Sequence, residues 1–328
     1  MSAMKKNLKY NLTWLAIAAV IYFGLFALYN GGVINLFTDA IIANIGINII
    51  LAVSLNLIIG FSGQFSLGHA GFMAIGAYAT AIMTRDNPTF GGFATGIILG
   101  MFLAGIIALA VGMPTLRLKG DYLAIATLGI SEIIRILIIN LSDITNGPAG
   151  IFGLPQFSNW QVIFVMMVLS ILIVSNFIHS GPGRATLSVR EDEIAAESMG
   201  VNTTKYKVIA FVMGAVLASV AGSLFASYQQ SVFPQDYGFM KSIDVLIIVV
   251  FGGIGSTTGA VVAAVVLGFL NMYLQDFGNL RMIIYALAII AIMIFKPSGL
   301  LGTWEFSVKR IFNKFSKKED DSNASINR

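Results

Sequence analysis

Several long runs of this chain contain no charged side chain: Leu12–Asn30, Ala40–Gly60, Phe93–Pro114, Trp160–Ile178 and Val208–Ala226. A helix rises about 1.5 Å per residue, so roughly 20 residues cross a hydrocarbon core about 30 Å thick. Inside that core no water satisfies backbone N–H and C=O groups, so such a run must close its own hydrogen bonds as a helix. Composition agrees. Only 11% of the residues are charged, 57% are hydrophobic, and the mean hydropathy is +0.84. Soluble domains carry about 25% charged residues. Lipid is the natural solvent for this chain, and an all-α integral membrane fold is expected.

Other segments are less regular. Tyr122–Leu141 is apolar except for Glu132 and Arg135, and Ala70–Thr84 is short. After Asp244 come three brief apolar pieces, Val245–Gly252, Ala260–Leu274 and Met282–Phe295. The expectation is about ten transmembrane helices, short and broken ones included. Lys5, Lys6 and Lys9 precede the first run as in a signal peptide, but the run is long and no A-x-A site closes it, so it reads as an uncleaved first helix.

Basic residues set the expected orientation. If the spans alternate, Lys5, Lys6, Lys9, Arg117, Lys119, Arg184, Arg190, Lys205, Lys207 and the tail cluster Lys309, Arg310, Lys314, Lys317 and Lys318 share one side. Only Arg85 and Lys241 fall on the other. Both termini are thus expected in the cytoplasm. Residues 1–304 read as one membrane domain and 305–328 as a basic cytoplasmic tail.

Two stripes of small residues repeat every fourth position: Gly92, Gly96, Gly100, Ala104, Ala108 and Gly112, and then Ala210, Gly214, Ala218, Gly222 and Ala226. That spacing lets helix backbones approach closely, either for packing or for sliding. Asn44, Asn48 and Asn56 form a polar stripe that either bridges helices or lines a path. Glu132 and Arg135 sit one turn apart and can neutralise each other, as a structural lock or as part of a gate. Asp244 raises the same choice.

Glycines and hydroxyls interrupt two apolar runs, at Gly60–His69 (GFSGQFSLGH) and at Gly252–Gly259 (GGIGSTTG). Irregular backbone at membrane depth survives only where protein or a water-filled cavity satisfies it, and in transporters such breaks border the path. Asn48, Gln64, Ser66, His69, Glu132, Arg135, Asp244, Gly252, Gly253 and Gly255 are therefore the candidate pathway residues. Neither break is a nucleotide cradle. The chain has no Gly-Lys dipeptide, so it lacks G-x-x-x-x-G-K-[ST] and cannot be an ATPase of that type. With no cysteine and two histidines, thiolate metal sites are excluded and a metal cluster is not expected. Lipid is an expected partner and nucleic acid is not.

The longest hydrophilic stretch between spans lies within 180–207. Gly181-Pro182-Gly183 is expected to end the preceding helix. Arg190–Met199 follows as a short charged helix, with Gly200 as its C-terminal cap and Asn202 and Thr203 opening the next element. This is a solvated connection or a docking helix.

At this loop the sequence resembles the LivM-type permeases of branched-chain amino-acid ABC importers. The segment Arg190–Val201 (REDEIAAESMGV) is similar to that family's coupling segment. Gly60–Tyr78, Asp121–Arg135, Asn146–Gly150, Val250–Gly259 and Phe295–Gly302 resemble its other blocks, so the likeness spans most of the chain. The resemblance implies a type II ABC importer-like permease in the bacterial inner membrane that imports leucine, isoleucine and valine. It implies a second permease subunit, two cytoplasmic ATPase subunits and an extracytoplasmic solute-binding protein. ATP and magnesium are used by those ATPases, and this chain binds no cofactor and has no catalytic residues. Arg190, Glu191, Glu193, Ala195, Ala196 and Gly200 are the implied ATPase-coupling residues. Related permeases carry urea, amides or other amino acids.

Two other classes compete. A secondary transporter would use Glu132 or Asp244 to couple an ion, but leaves the loop unexplained. A membrane-embedded enzyme would need a nucleophile with a base, and His69 near Ser62 and Ser66 is a poor candidate.

Overall fold

The computed structural model describes residues 2–32, 34–116, 118 and 120–274, and scattered positions from 283 to 305 that include 298–302. The expected basic tail after Glu305 and half of Met282–Phe295 lie outside the described residues. The chain forms two compact units, one of Met1–Leu36 with Trp304 onward and one of Phe37–Thr303.

In the first unit, helix α1 spans Ser2–Asn30. The second opens with α2 (Leu36–Asn56), which continues into a π-helical turn, Leu57–Phe61. Then come α3 (His69–Asp86), α4 (Phe90–Thr115), α5 (Asp121–Asn140) and a single turn α6 (Ser142–Thr145). Strand β1 (Ile151–Phe152) precedes α7 (Trp160–Ile178), α8 (Gly181–Glu191), α9 (Glu193–Ser198) and α10 (Thr203–Gln229). Strand β2 (Ser231–Val232) pairs antiparallel with β1, and α11 (Phe239–Gly252) and α12 (Thr257–Tyr273) follow.

The two small-residue stripes are packing surfaces. Every member of the first lies on the buried face of α4, while Ile98, Phe102 and Ile106 point outward. The second is equally buried on α10. Large apolar side chains gain nothing by turning inward when lipid is as apolar as the interior, so the close face goes to glycine and alanine. A Cβ on Gly96 would lie 2.7 Å from Thr80 Cα, and one on Gly100 2.9 Å from Gly76 Cα, so α4 rests on the backbone of α3. Ser223 on α10 donates to the Gly76 carbonyl at 3.1 Å. Helices α3, α4 and α10 thus form a tight central trio.

Among the described residues, five helices are long and apolar enough to cross a membrane: α2 with its π-helical turn, α4, α5, α7 and α10. The count reaches six if α11 and α12 form one span. The expectation of about ten is looser than this. Val245–Gly252 and Ala260–Leu274, taken as separate crossings, belong to two arms bent by 117° at the glycine break.

The 180–207 loop differs from expectation in two ways. Gly181-Pro182-Gly183 starts a helix instead of ending one, because proline suits the first turn and Ser180 Oγ accepts from the Gly183 N–H at 3.2 Å. The expected helix Arg190–Met199 is broken at Asp192, whose carboxylate caps α9 by accepting from the Ile194 and Ala195 N–H groups. The cap at Gly200 is as expected. Val201 N–H reaches the Ala196 carbonyl at 3.0 Å, Gly200 N–H reaches Glu197 at 2.9 Å, and Gly200 has φ +83°. Asn202 caps α10 through the Lys205 N–H.

Candidate functional site at the junction of two broken helices

The two breaks meet. Asn56 ends α2, and its Oδ1 accepts from the Gly255 N–H at 2.9 Å while its Nδ2 donates to the Ser256 carbonyl at 2.9 Å. Gly60, one turn further, faces the same place: a Cβ there would lie 2.5 Å from Gly255 N and 2.8 Å from Gly255 Cα. Only glycine fits at that approach.

Arg190, the penultimate residue of α8, reaches the same junction. Its Nη1 donates to the Gly60 carbonyl. The guanidinium thus satisfies backbone at the end of the π-helical turn, where the regular ladder runs out. A Cβ on Gly255 would lie 2.6 Å from that Nη1, and one on Gly63 3.3 Å from Arg190 Cγ.

Protein groups also hold the irregular segment between Phe61 and His69. Gln64 is buried; its Nε2 donates to Ser62 Oγ at 2.5 Å and to the Lys207 carbonyl at 3.0 Å, and its Oε1 has no partner. Ser66, also buried, has its Oγ 3.4 Å from the Gly68 N–H. Leu67 N–H donates to Thr127 Oγ1 on α5, and Ala70 N–H to Ser242 Oγ on α11. His69 is buried, with Nε2 2.7 Å from Ser54 Oγ and Nδ1 unpartnered. Ser54 also lies 2.9 Å from the Leu51 carbonyl, so its single proton serves either that carbonyl or the imidazole.

The second break turns on Gly253 (φ +114°) and Gly255 (φ +89°), conformations that favour glycine. Gly252 packs against Gly259 across the bend, where a Cβ would lie 2.8 Å from Ala260 N. The 298–302 segment closes over it: Leu300 N–H donates to the Phe251 carbonyl at 2.7 Å, and a Cβ on Gly299 would lie 2.7 Å from Gly253 Cα.

Other candidates lie apart from this bonding. Glu132 and Arg135 bind each other, with Nη2 to Oε2 at 2.7 Å, and are about equally exposed at 27% and 28%. Asn48 is half-buried, and Asp244 is exposed on α11. Asn44 donates to the Ala40 carbonyl within its own helix. In the loop, Glu193 pairs with Lys207 at 2.6 Å, and Ala196 is buried. Glu191, Ala195 and Gly200 are exposed.

Spacing alone did not single out Asn56 as the bridge between the breaks. The available signal was an amide four residues before the Gly60 break. Ser54, Thr127 and Ser242 carried no signal, being ordinary hydroxyls inside helices.

A helical membrane protein with two interrupted helices, locked together and tied to an external helical loop, is of the membrane-transport class. A family model described as "Branched-chain amino acid transport system / permease component" matches residues 37–295, and the chain belongs to that family. It is 38% identical over 265 residues to the high-affinity branched-chain amino acid transport system permease protein LivM of Salmonella typhimurium, covering 70% of this chain and 62% of that protein. LivM of Escherichia coli K12 is 37% identical over the same coverage. The permease protein LivH of E. coli K12 is 32% identical over 145 residues, 43% of this chain and 46% of the relative. The chain thus matches 62% of the length of the two LivM relatives. No solved structure matches it.

Proposed function

We propose that this chain is one of two channel-forming permease subunits of an ATP-driven importer, and that it passes branched-chain amino acids into the cytoplasm. The observation that carries the reading is the tie between loop and path. Arg190, from the helical loop, binds the backbone of one broken helix where that helix meets the other. A passive channel has no use for such a tie, whereas an importer must convey work from a soluble motor to its path.

The loop offers a surface for that motor. On α9 and just after it, Ile194 and Met199 are 76% and 85% exposed, and Ala195 lies beside them. Exposed apolar side chains among carboxylates such as Glu191 and Glu197 suit the groove of a soluble ATPase, which uses ATP and magnesium. The chain itself hydrolyses nothing in this reading. The second pore subunit is a related permease, because relatives named for two permease proteins of one kind of transport system, LivM and LivH, both resemble this chain. An extracytoplasmic binding protein delivers the solute. The distribution of basic residues supports a reading with the loop and both termini in the cytoplasm of a bacterial cell.

Uptake of labelled leucine by a strain lacking the gene, with and without restoration, tests the reading. Restored uptake is expected to be competed by isoleucine and valine. Competition by urea or amides instead would change the substrate. Purification without an ATPase subunit would favour a secondary transporter.

A further inference from the structure

Within that reading, we propose that Arg190 is a positioning residue that transmits movement of the docking loop into both broken helices at once, and is not itself a contact to the ATPase. Its side chain points into the protein. The guanidinium donates to Gly60 and packs where a Cβ on Gly255 would displace it. Glu191, the nearest carboxylate, stands 3.9 Å from Arg190 Nε with its own side chain 76% exposed, so it does not draw the arginine outward.

The chain of contacts is continuous. Val189 and Thr186 are buried, so α8 is held along its inner face and a tilt of the helix moves its end. Arg190 conveys that motion to the Gly60 carbonyl in the π-helical turn. Asn56 spans the gap to Gly255 and Ser256, and Ser256 caps α12 by accepting from the Gly259 N–H at 2.9 Å. Gly255 leaves room for the guanidinium and Gly63 for the stem of the Arg190 side chain, while Gly60 lets the Gly255 backbone come close. A contiguous path becomes a coupling device only if its state follows the motor, and that is measurable.

The chain has no cysteine, so a single one at the buried Ser66 reports opening of the first break. The complex with its ATPase subunits is reconstituted in nanodiscs. Labelling by a water-soluble maleimide is timed nucleotide-free and after trapping with ATP, magnesium and vanadate. With Arg190 present, the two rates should differ at least fivefold. In Arg190→Ala they should agree within twofold while ATP hydrolysis continues. Arg190→Gln, which is polar but uncharged and too short to place a donor where Nη1 lies, should show the same loss and serves if the alanine variant assembles poorly. Equal rates with Arg190 present, or a fivefold difference persisting in both variants, would overturn the linkage. A native complex that contains no ATPase would instead overturn the importer reading.

Discussion

Asn56 and Gly255 stand 199 positions apart, yet the Asn56 carboxamide oxygen accepts the Gly255 N–H at 2.9 Å. The same side chain donates to Ser256. One amide thereby joins the irregular ends of two interrupted helices. A backbone donor freed by a helix break needs such a partner, and here a side chain from a distant helix supplies one.

Asn56→Leu keeps the bulk and removes both bonds. It should lower stability by about 1–3 kcal/mol, because the Gly255 N–H loses its acceptor. Asn44→Leu removes only a bond within its own helix and should stay within about 0.5 kcal/mol of the parent. Thermal unfolding in detergent compares them. Equal shifts would mean that Asn56 is ordinary bundle packing.

Gly96→Ala should destabilise by about 1–3 kcal/mol, since the new methyl meets Thr80 Cα at 2.7 Å and α4 must move off α3. Gly105→Ala, on the same helix, finds its nearest neighbour 3.6 Å away at Val216 Cγ2 and should be neutral or slightly stabilising. The pair of melting curves separates a packing stripe from a merely glycine-rich helix.

Neighbouring alanines on α9 should behave oppositely. Ala195 is exposed, so Ala195→Trp should leave the melting temperature unchanged and abolish co-purification of the ATPase. Ala196 is buried at 6% exposure, so Ala196→Trp should destabilise the chain itself. Normal ATPase recovery with Ala195→Trp would exclude this surface from docking.

Glu132 and Arg135 should be worth more as a pair than apart. Removing Arg135 leaves a lone carboxylate in the middle of α5, and an unpaired charge there costs about 2.5–3.5 kcal/mol. Arg135→Gln should therefore reduce the folded yield, and Glu132→Gln combined with Arg135→Gln should recover most of it. Additive losses in this cycle would show that the two do not compensate each other.

The sequence by itself determined what runs over three or four residues within one element. Four of the five uncharged runs became helices long and apolar enough to span, the four-residue repeats set the close faces of α4 and α10, and the one-turn spacing paired Glu132 with Arg135. Gly200 and Asn202 announced the end of α9 and the start of α10 for the same reason, since caps are local chemistry. Even local rules gave way where two were in balance: Gly181-Pro182-Gly183 suits either end of a helix, and Asp192 was as good a cap as a helix former. Only the tertiary structure decided that Arg190 meets Gly60, that Glu193 meets Lys207 and that Asn56 meets Gly255. These encounters depend on how far each helix is rotated and shifted against its neighbours. Small-residue faces permit several such registers, and which polar group ends beside which carbonyl follows from the whole bundle closing at once.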